Sequence, residues 1–370
     1  MTKTGAAARV RSLTGLLALG LMTGAVATPS GMAQSAGLEP AAGLPQTAVA
    51  AASLGDVAPI GSKPAAFSPE RASFSVRFRD ILTPYRVFLL TAVPGERVRL
   101  EIVEAGPTAS DYRVEAKGGS ATREARRFWT WEAPAVPGTY RISVRRNAVA
   151  GSGNTGAGRP LASDAITLNA VVMVPTDRLE DGKMGGYRIG EFPQTPYRDL
   201  PQYLPPRVLI PLANGADLQV SPHFTLAQFP CKGPPGYPKF VVLSEKLLLK
   251  LELLLERANE AGIASPTFQV LSGFRSPWYN ANIGRPRYSR HIYGDAADIY
   301  VDNDGDGRMD DLNGDGQIDL ADATVLHRIV EQMDGSVETA HLIGGLGQYP
   351  TTSNHGPFIH VDTREFRARW

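Results

Sequence analysis

Two histidines and one aspartate constrain this chain more than any other feature. His291 is followed seven residues later by Asp298, and His360 lies far downstream in Phe358-Ile359-His360-Val361. The residues between the first pair include Gly294, Ala296 and Ala297, small enough for the backbone to bend tightly and aim both side chains at one point. The apolar run around His360 reads as a buried strand. Two imidazoles and a carboxylate form a mixed N/O set suited to one zinc ion with a coordination position left for water. A structural zinc would normally close its shell with four ligands, often thiolates, but Cys231 is the only cysteine. An open, hydrolytic site is the expectation.

The pattern S-x-H-x-x-G-x-A-x-D from Ser289 to Asp298, the later His360-Val361-Asp362 and the upstream Ser272-Gly273-Phe274-Arg275-Ser276-Pro277 resemble the zinc D-Ala-D-Ala peptidases, in particular their carboxypeptidase-like branch. The resemblance spans roughly residues 219 to 370, with weaker matches at Ser221-Pro222-His223-Phe224 and from Gln228 to Lys232. It implies an α+β zinc peptidase domain of the D-Ala-D-Ala peptidase/Hedgehog type acting on peptidoglycan stem peptides. It also implies that His291, Asp298 and His360 hold zinc and that Arg275, with Ser289 nearby, binds substrate. An arginine fork can grip a terminal carboxylate through two parallel hydrogen bonds.

One part of the pattern is missing. Many members of that family carry a glutamate three residues before the last zinc histidine, or a histidine two before it; here those positions are Pro357 and Phe358. The catalytic candidates left are His355, in a Gly/Asn-rich loop, and Asp362, which shares a strand face with His360. Asp362 is equally suited to orienting a ligand from behind, and neither residue need be the base.

Between the zinc segments, residues 302–322 hold eight aspartates and one arginine, a density of like charge that calls for cations or water. Asp311, Asn313, Asp315, Asp319 and Asp322 fall at positions 1, 3, 5, 9 and 12 of an EF-type loop, with Gln317 offering its carbonyl at position 7. Asp302, Asp304, Asp306 and Asp310 begin an overlapping second set, so one or two calcium ions are expected. Because a strand precedes the loop and only the following segment, Ala323 to Val330, looks helical, the arrangement resembles dockerin-type calcium loops. A merely solvated acidic loop is the plainer alternative.

The chain opens with Lys3, Arg9 and Arg11, then an apolar stretch from Leu13 to Ala27 ending in Ala25-Val26-Ala27. That order reads as a secretory signal over 1–27, too short for a membrane span, and places the protein in the periplasm or outside the cell. No membrane span is expected after cleavage. One cysteine allows no intrachain disulfide, and Cys231 reads as a small buried residue. A net charge of +1 gives no case for nucleic acid.

Residues 28–65 are rich in Ala, Gly, Pro and Ser and read as a flexible linker. From 66 to 175, segments such as Phe74–Phe78, Arg97–Val103 and Tyr140–Val144 alternate apolar and polar residues between Pro-Gly turns. An N-terminal all-β, immunoglobulin-like sandwich is predicted there. Residues 60–175 carry 16 Lys/Arg against 10 Asp/Glu, either a solvated strand face or a face for an anionic polymer, and Trp129 and Trp131 read as core. Residues 176–218 form a Pro/Gly/Tyr-rich connector, and the zinc domain runs from 219 to 370 with the 302–322 insertion. The fold class expected is multidomain, a sandwich followed by an α+β domain. Two readings remain beside the peptidase: a catalytically inactive zinc-containing wall-binding module and a calcium-dependent scaffold.

Overall fold

A computed structural model describes residues 67–104, 111–147, 164–233 and 236–370. The predicted signal (1–27) and linker (28–65) lie outside the described residues.

The protein is mostly β, with several sheets and few helices. In the first part, β1 (Arg71–Phe78), β2 (Ile81–Tyr85), β4 (Arg97–Val103), β6 (Ser120–Ala125) and β7 (Phe128–Glu132) make an antiparallel sheet in the order β2-β1-β4-β7-β6. A second sheet has the order β3-β9-β8-β5, from β3 (Val87–Ala92), β5 (Tyr112–Lys117), β8 (Gly138–Arg146) and β9 (Ala165–Val172). The alternation works as expected in β4, where Val98, Leu100 and Ile102 are buried and Arg97 and Arg99 are exposed. Trp129 and Trp131 are core residues of β7.

Two strands escaped the sequence reading for the same reason. β3 and β9 are almost wholly buried and so do not alternate. They pair in parallel from Val87 opposite Thr167 to Ala92 opposite Val172. The outer edge of β3 is covered by helix α1 (Glu245–Glu260) and by Gln219–Ser221, and a strand buried on both sides loses its polar positions.

The two halves of the chain meet on α1. Its N-cap is Ser244, whose Oγ accepts from the Lys246 amide at 3.2 Å, and Leu247, Leu251, Leu254, Leu255 and Ala258 are buried. Glu245 accepts from the Thr91 amide and hydroxyl at 2.9 and 2.6 Å, and Glu256 accepts from the Tyr85 hydroxyl at 2.9 Å and pairs with Arg71. Glu252, fully buried, takes the His223 amide at 2.9 Å and contacts its Nδ1 at 2.7 Å.

The second part is built on a sheet whose strands, in chain order, are β10 (Gln269–Ser272), β11 (Ala296–Tyr300), β12 (Gly345–Tyr349), β13 (Phe358–Asp362) and β14 (Ala368–Arg369), lying in the spatial order β10-β11-β13-β12-β14. All neighbours are antiparallel except β12 and β14. Helix α2 (Pro277–Asn282) follows β10, and α3 (Leu320–Asp334) packs against β12 and β13. Lys250 of α1 is buried and donates to Asp334 at 3.2 Å and to the carbonyls of Leu342 and Asp362 at 3.1 Å each. It ties both helices to the end of β13.

His223 gives a pH test of the α1 junction. Burial alone would lower its pKa, but the Glu252 carboxylate outweighs this and raises it, and Nε2 lies 3.0 Å from the Ser68 carbonyl. A raised folded pKa contributes its full stability below the unfolded value of about 6.5 and loses it as pH climbs through the higher folded value. The melting temperature of wild type should therefore fall over that window relative to His223→Gln. Parallel pH profiles of the two proteins in calorimetry would contradict this.

Candidate metal centre

The metal-facing side of the sheet is set by register. Ser272 of β10 lies opposite Asp298 of β11, Asp298 opposite His360 of β13, and His360 opposite Gly347 of β12. Side chains of directly opposed residues stand on the same face, so Asp298 and His360 are neighbours by construction. The third member comes from a short 3-10 turn, Arg290–Tyr293, which ends at Gly294 in the left-handed conformation (φ 72°). A Cβ there would stand 2.3 Å from the Val242 carbonyl oxygen, so only glycine lets the chain turn back into β11.

These elements bring His291 Nε2, His360 Nδ1 and Asp298 Oδ1 together. The separations are 3.2 Å between the two histidine nitrogens, 3.2 Å from His291 to Asp298 and 2.8 Å from His360 to Asp298. A tetrahedral zinc with bonds of about 2.0 Å sets its ligand atoms about 3.3 Å apart, close to the observed triangle. All three residues are buried.

The outer partners fix which nitrogen of each ring is free. His291 Nδ1 is 2.7 Å from the Gly273 carbonyl, which can only accept, so the proton sits on Nδ1 and the Nε2 lone pair faces the triangle. His360 Nε2 is 3.1 Å from Asp362 Oδ2, leaving Nδ1 free. The donor set therefore fits zinc in its chemistry and its tautomers. Burial opposes the charge on Asp298, but His291 and His360 hold its carboxyl well below the usual range.

Asp362 is thus placed behind His360. Its carboxylate also accepts from the Gly345 amide at 2.7 Å and the Arg364 Nε at 2.9 Å, and it is fully buried. Both of its oxygens are occupied on the side away from the triangle, as suits the orienting alternative. His355 does not join the triad either: its Nδ1 lies 2.8 Å from the Gly356 carbonyl, and its ring meets Phe358 edge-on at 4.9 Å. It lines a small cleft of about 60 Å³ with Arg308 and Met309 of the acidic insertion.

Arg275 reaches the site, but through a ligand. Its Nη2 donates to Asp298 Oδ2 at 2.5 Å and its Nε to Ser272 Oγ at 2.8 Å. Ser289 caps the 3-10 turn without a side-chain cap bond. A cleft of about 450 Å³ is lined by Glu191, Pro277, Asn280, Arg285, Arg287 and Ile292, none of them a member of the triangle; its two arginines were not revealed by the motifs.

Other supports were also invisible in sequence. Arg290 is clamped to Asp295 at 2.5–3.2 Å, donates to the Gln202 carbonyl at 2.9 Å and lies over the rings of Tyr203 and Tyr293 at 4.3 and 4.6 Å. The connector thereby braces the turn that carries His291. The adjacency of Arg290 to His291 was the available signal; its partners were not.

In the acidic insertion, the structure gathers Asp302, Asp304 and Asp310 into one group of carboxylates. Asp306 is outside it, accepting from the Arg308 amide at 2.7 Å. Asp311, Asp315, Asp319 and Asp322 form no comparable carboxylate group among the described residues. Asp311 instead accepts from the amides of Gly314 and Gly316 at 2.7 Å each, while Asn313 and Asp315 accept from amides two residues on. The side chain of Asp322 is buried and accepts from Leu312 and Asp319 at 2.8 Å each, and Asp319 caps α3.

Residues 242–313 match the Peptidase M15 family, a span that contains Arg275, His291 and Asp298 and ends before His360. The match supports a zinc D-Ala-D-Ala peptidase type, and with it a hydrolase. No curated protein matches the chain. Among solved structures, a nucleoside hydrolase-related hypothetical protein from Saccharophagus degradans, associated with carbohydrate metabolism, is 13% identical over 27% of this chain and 26% of its own, with a TM-score of 0.18. The chain spans about a quarter of that protein, and the likeness carries no argument.

Separating the ligands from their supports gives a graded expectation. His291→Ala and His360→Ala should lose stoichiometric zinc outright, whereas Asp362→Asn, which keeps an acceptor behind His360, should weaken zinc affinity by about 10- to 100-fold. Elemental analysis and competition with a chelator measure both. Full zinc retention by the two alanine variants would remove the site.

Proposed function

We propose that the protein is an exported zinc metallopeptidase acting on peptidoglycan stem peptides, as a D,D-carboxypeptidase or endopeptidase. The observation that carries this is the triangle of His291 Nε2, Asp298 Oδ1 and His360 Nδ1, with both imidazole tautomers set by Gly273 and Asp362. Three N/O ligands leave a coordination position for chemistry. Zinc held there would polarise a scissile carbonyl and lower the pKa of its water toward neutrality.

The chain's own residues supply the rest. Asp362 keeps the His360 ring aimed, Gly273 does the same for His291, and Arg275 neutralises the outer oxygen of Asp298. Arg285 and Arg287 line a further cleft with Glu191. The inactive wall-binding reading is favoured by Pro357 and Phe358 standing where the family places its base. Turnover separates the two.

Export rests on the Lys3, Arg9 and Arg11 cluster before the apolar Leu13 to Ala27 stretch. Among the described residues no helix is long and apolar enough to cross a membrane. The first part is proposed to be an immunoglobulin-like sandwich, a reading supported by its strand order, with the last strand parallel to β3. The domain limits 66–175, 176–218 and 219–370 belong to the same proposal.

Calcium in the 302–322 insertion is proposed on ligand spacing and on the Asp302, Asp304, Asp310 group. At saturating calcium the melting temperature of zinc-loaded protein should rise, a folded-state site adding about 3–4 kcal/mol when the ion is at several hundred times its Kd. No shift relative to chelated protein would leave a solvated acidic loop.

Arg275→Lys should retain zinc while losing most turnover of a peptide ending in free D-Ala-D-Ala, since lysine keeps the charge but lacks the planar donors that bond Ser272 and Asp298 and leave Nη1 for a substrate carboxylate. Wild type is expected to prefer the free acid over its C-terminal amide. Equal rates would leave the endopeptidase, and product analysis by mass spectrometry showing no cleavage of purified peptidoglycan would leave the binder.

A further inference from the structure

The face that carries the metal ligands continues past His360 into an aromatic wall. Gly347, opposite His360, has no side chain, and the Trp370 indole occupies that space; a Cβ at 347 would stand 2.5 Å from Trp370 Nε1. Trp370 is fixed by its amide to the Leu346 carbonyl and by its carbonyl to the Gln348 amide, each 3.3 Å. Its ring lies 5.1 Å from that of His360. Two residues along β12, Tyr349 stacks on Phe358 at 4.7 Å with the rings 10° apart. Trp370 Nε1 donates to the Tyr349 hydroxyl at 2.5 Å.

That last bond has a direction. An indole N–H can only donate, so the phenol oxygen accepts and the phenol keeps its own proton for another acceptor. No described residue takes it. Tyr349 is half-buried, and Trp370 beside it is 49% exposed. Burial raises the phenol pKa, the Trp370 bond opposes it, and the charges of Asp298, Arg285 and Arg275 all act on it. Tyr349 lies two residues from Gly347 and opposite Phe358, so it stands on the sheet face that carries His360.

We infer that Tyr349 is a substrate-contacting residue of this site, its O–H donating a hydrogen bond to a carbonyl oxygen of the bound peptide, and that Trp370 is the positioning residue that holds that O–H outward. The inference rests on the peptidase reading and supplies a polar contact that neither His355 nor Asp362 provides.

Tyr349→Phe tests it, because the ring can stay on Phe358 while the hydroxyl is removed. In the zinc-loaded full chain, kcat/KM on a stem peptide ending in D-Ala-D-Ala should fall about tenfold or more, and the calorimetric Kd of an uncleavable phosphinate analogue should weaken similarly. Zinc content and melting temperature should match wild type. Trp370→Phe, which keeps a ring beside His360 but lacks the donor, should weaken the analogue by a smaller factor with zinc retained.

Values within twofold of wild type for Tyr349→Phe, or a variant that loses zinc or melts early, overturn the inference. If wild type binds the analogue without cleaving peptide, the peptidase reading fails and Tyr349 is judged on affinity alone. If wild type neither cleaves nor binds, both fail.

Discussion

The register between β11 and β13 is the constraint on which the site depends. Asp298 faces His360 across one rung, and the flanking pairs Ala297 with Val361 and Ile299 with Ile359 put apolar side chains on the other face. Those residues are fully buried in the core, and α3 packs against β12 and β13. A slip of one residue would exchange the faces, sending ligands into the core and aliphatic groups to the cleft. Hydrophobic burial thus enforces the metal geometry without touching the metal.

Register alone places the side chains but does not aim them. Each imidazole is aimed by an acceptor on its far nitrogen, and each acceptor is itself held. Gly273 sits in the turn after β10, where the Arg275 amide bonds the His291 carbonyl at 3.1 Å. Asp362 is held by Arg364 and by the Gly345 amide. Burial would raise the Asp362 carboxyl, yet His360 and Arg364 keep it well below its ordinary range, so it remains an acceptor. A buried carboxylate without such partners would cost several kcal/mol.

The sequence was most legible where chemistry and spacing coincide. His291, Asp298 and His360 could be read because few roles other than metal binding use that donor set in small-residue and strand contexts. The helices α1 and α3 and the alternating strands followed from periodicity. What could not be read was long-range or carried by backbone. The Gly273 carbonyl has no sequence signature, the Arg290 to Tyr203 contact joins segments far apart, and Trp370 reaches the site only because β14 runs parallel to β12 beside Gly347. Asp362 was ambiguous because strand alternation places it beside His360 without saying which side of the ring it meets. In the insertion, spacing named ten candidate ligands, while local amide bonds draw several of their oxygens into turns.

The carboxylates on α1 extend the same logic across the molecule. One surface of the helix supports the metal sheet through Lys250, while Glu245 and Glu256 take donors from Thr91, Tyr85 and Arg71 of the first two sheets. Glu256 is largely buried, so its bonds to Tyr85 and Arg71 act where water competes poorly. The first two sheets are consequently anchored to the helix that also braces β13, so one element holds both parts of the described chain.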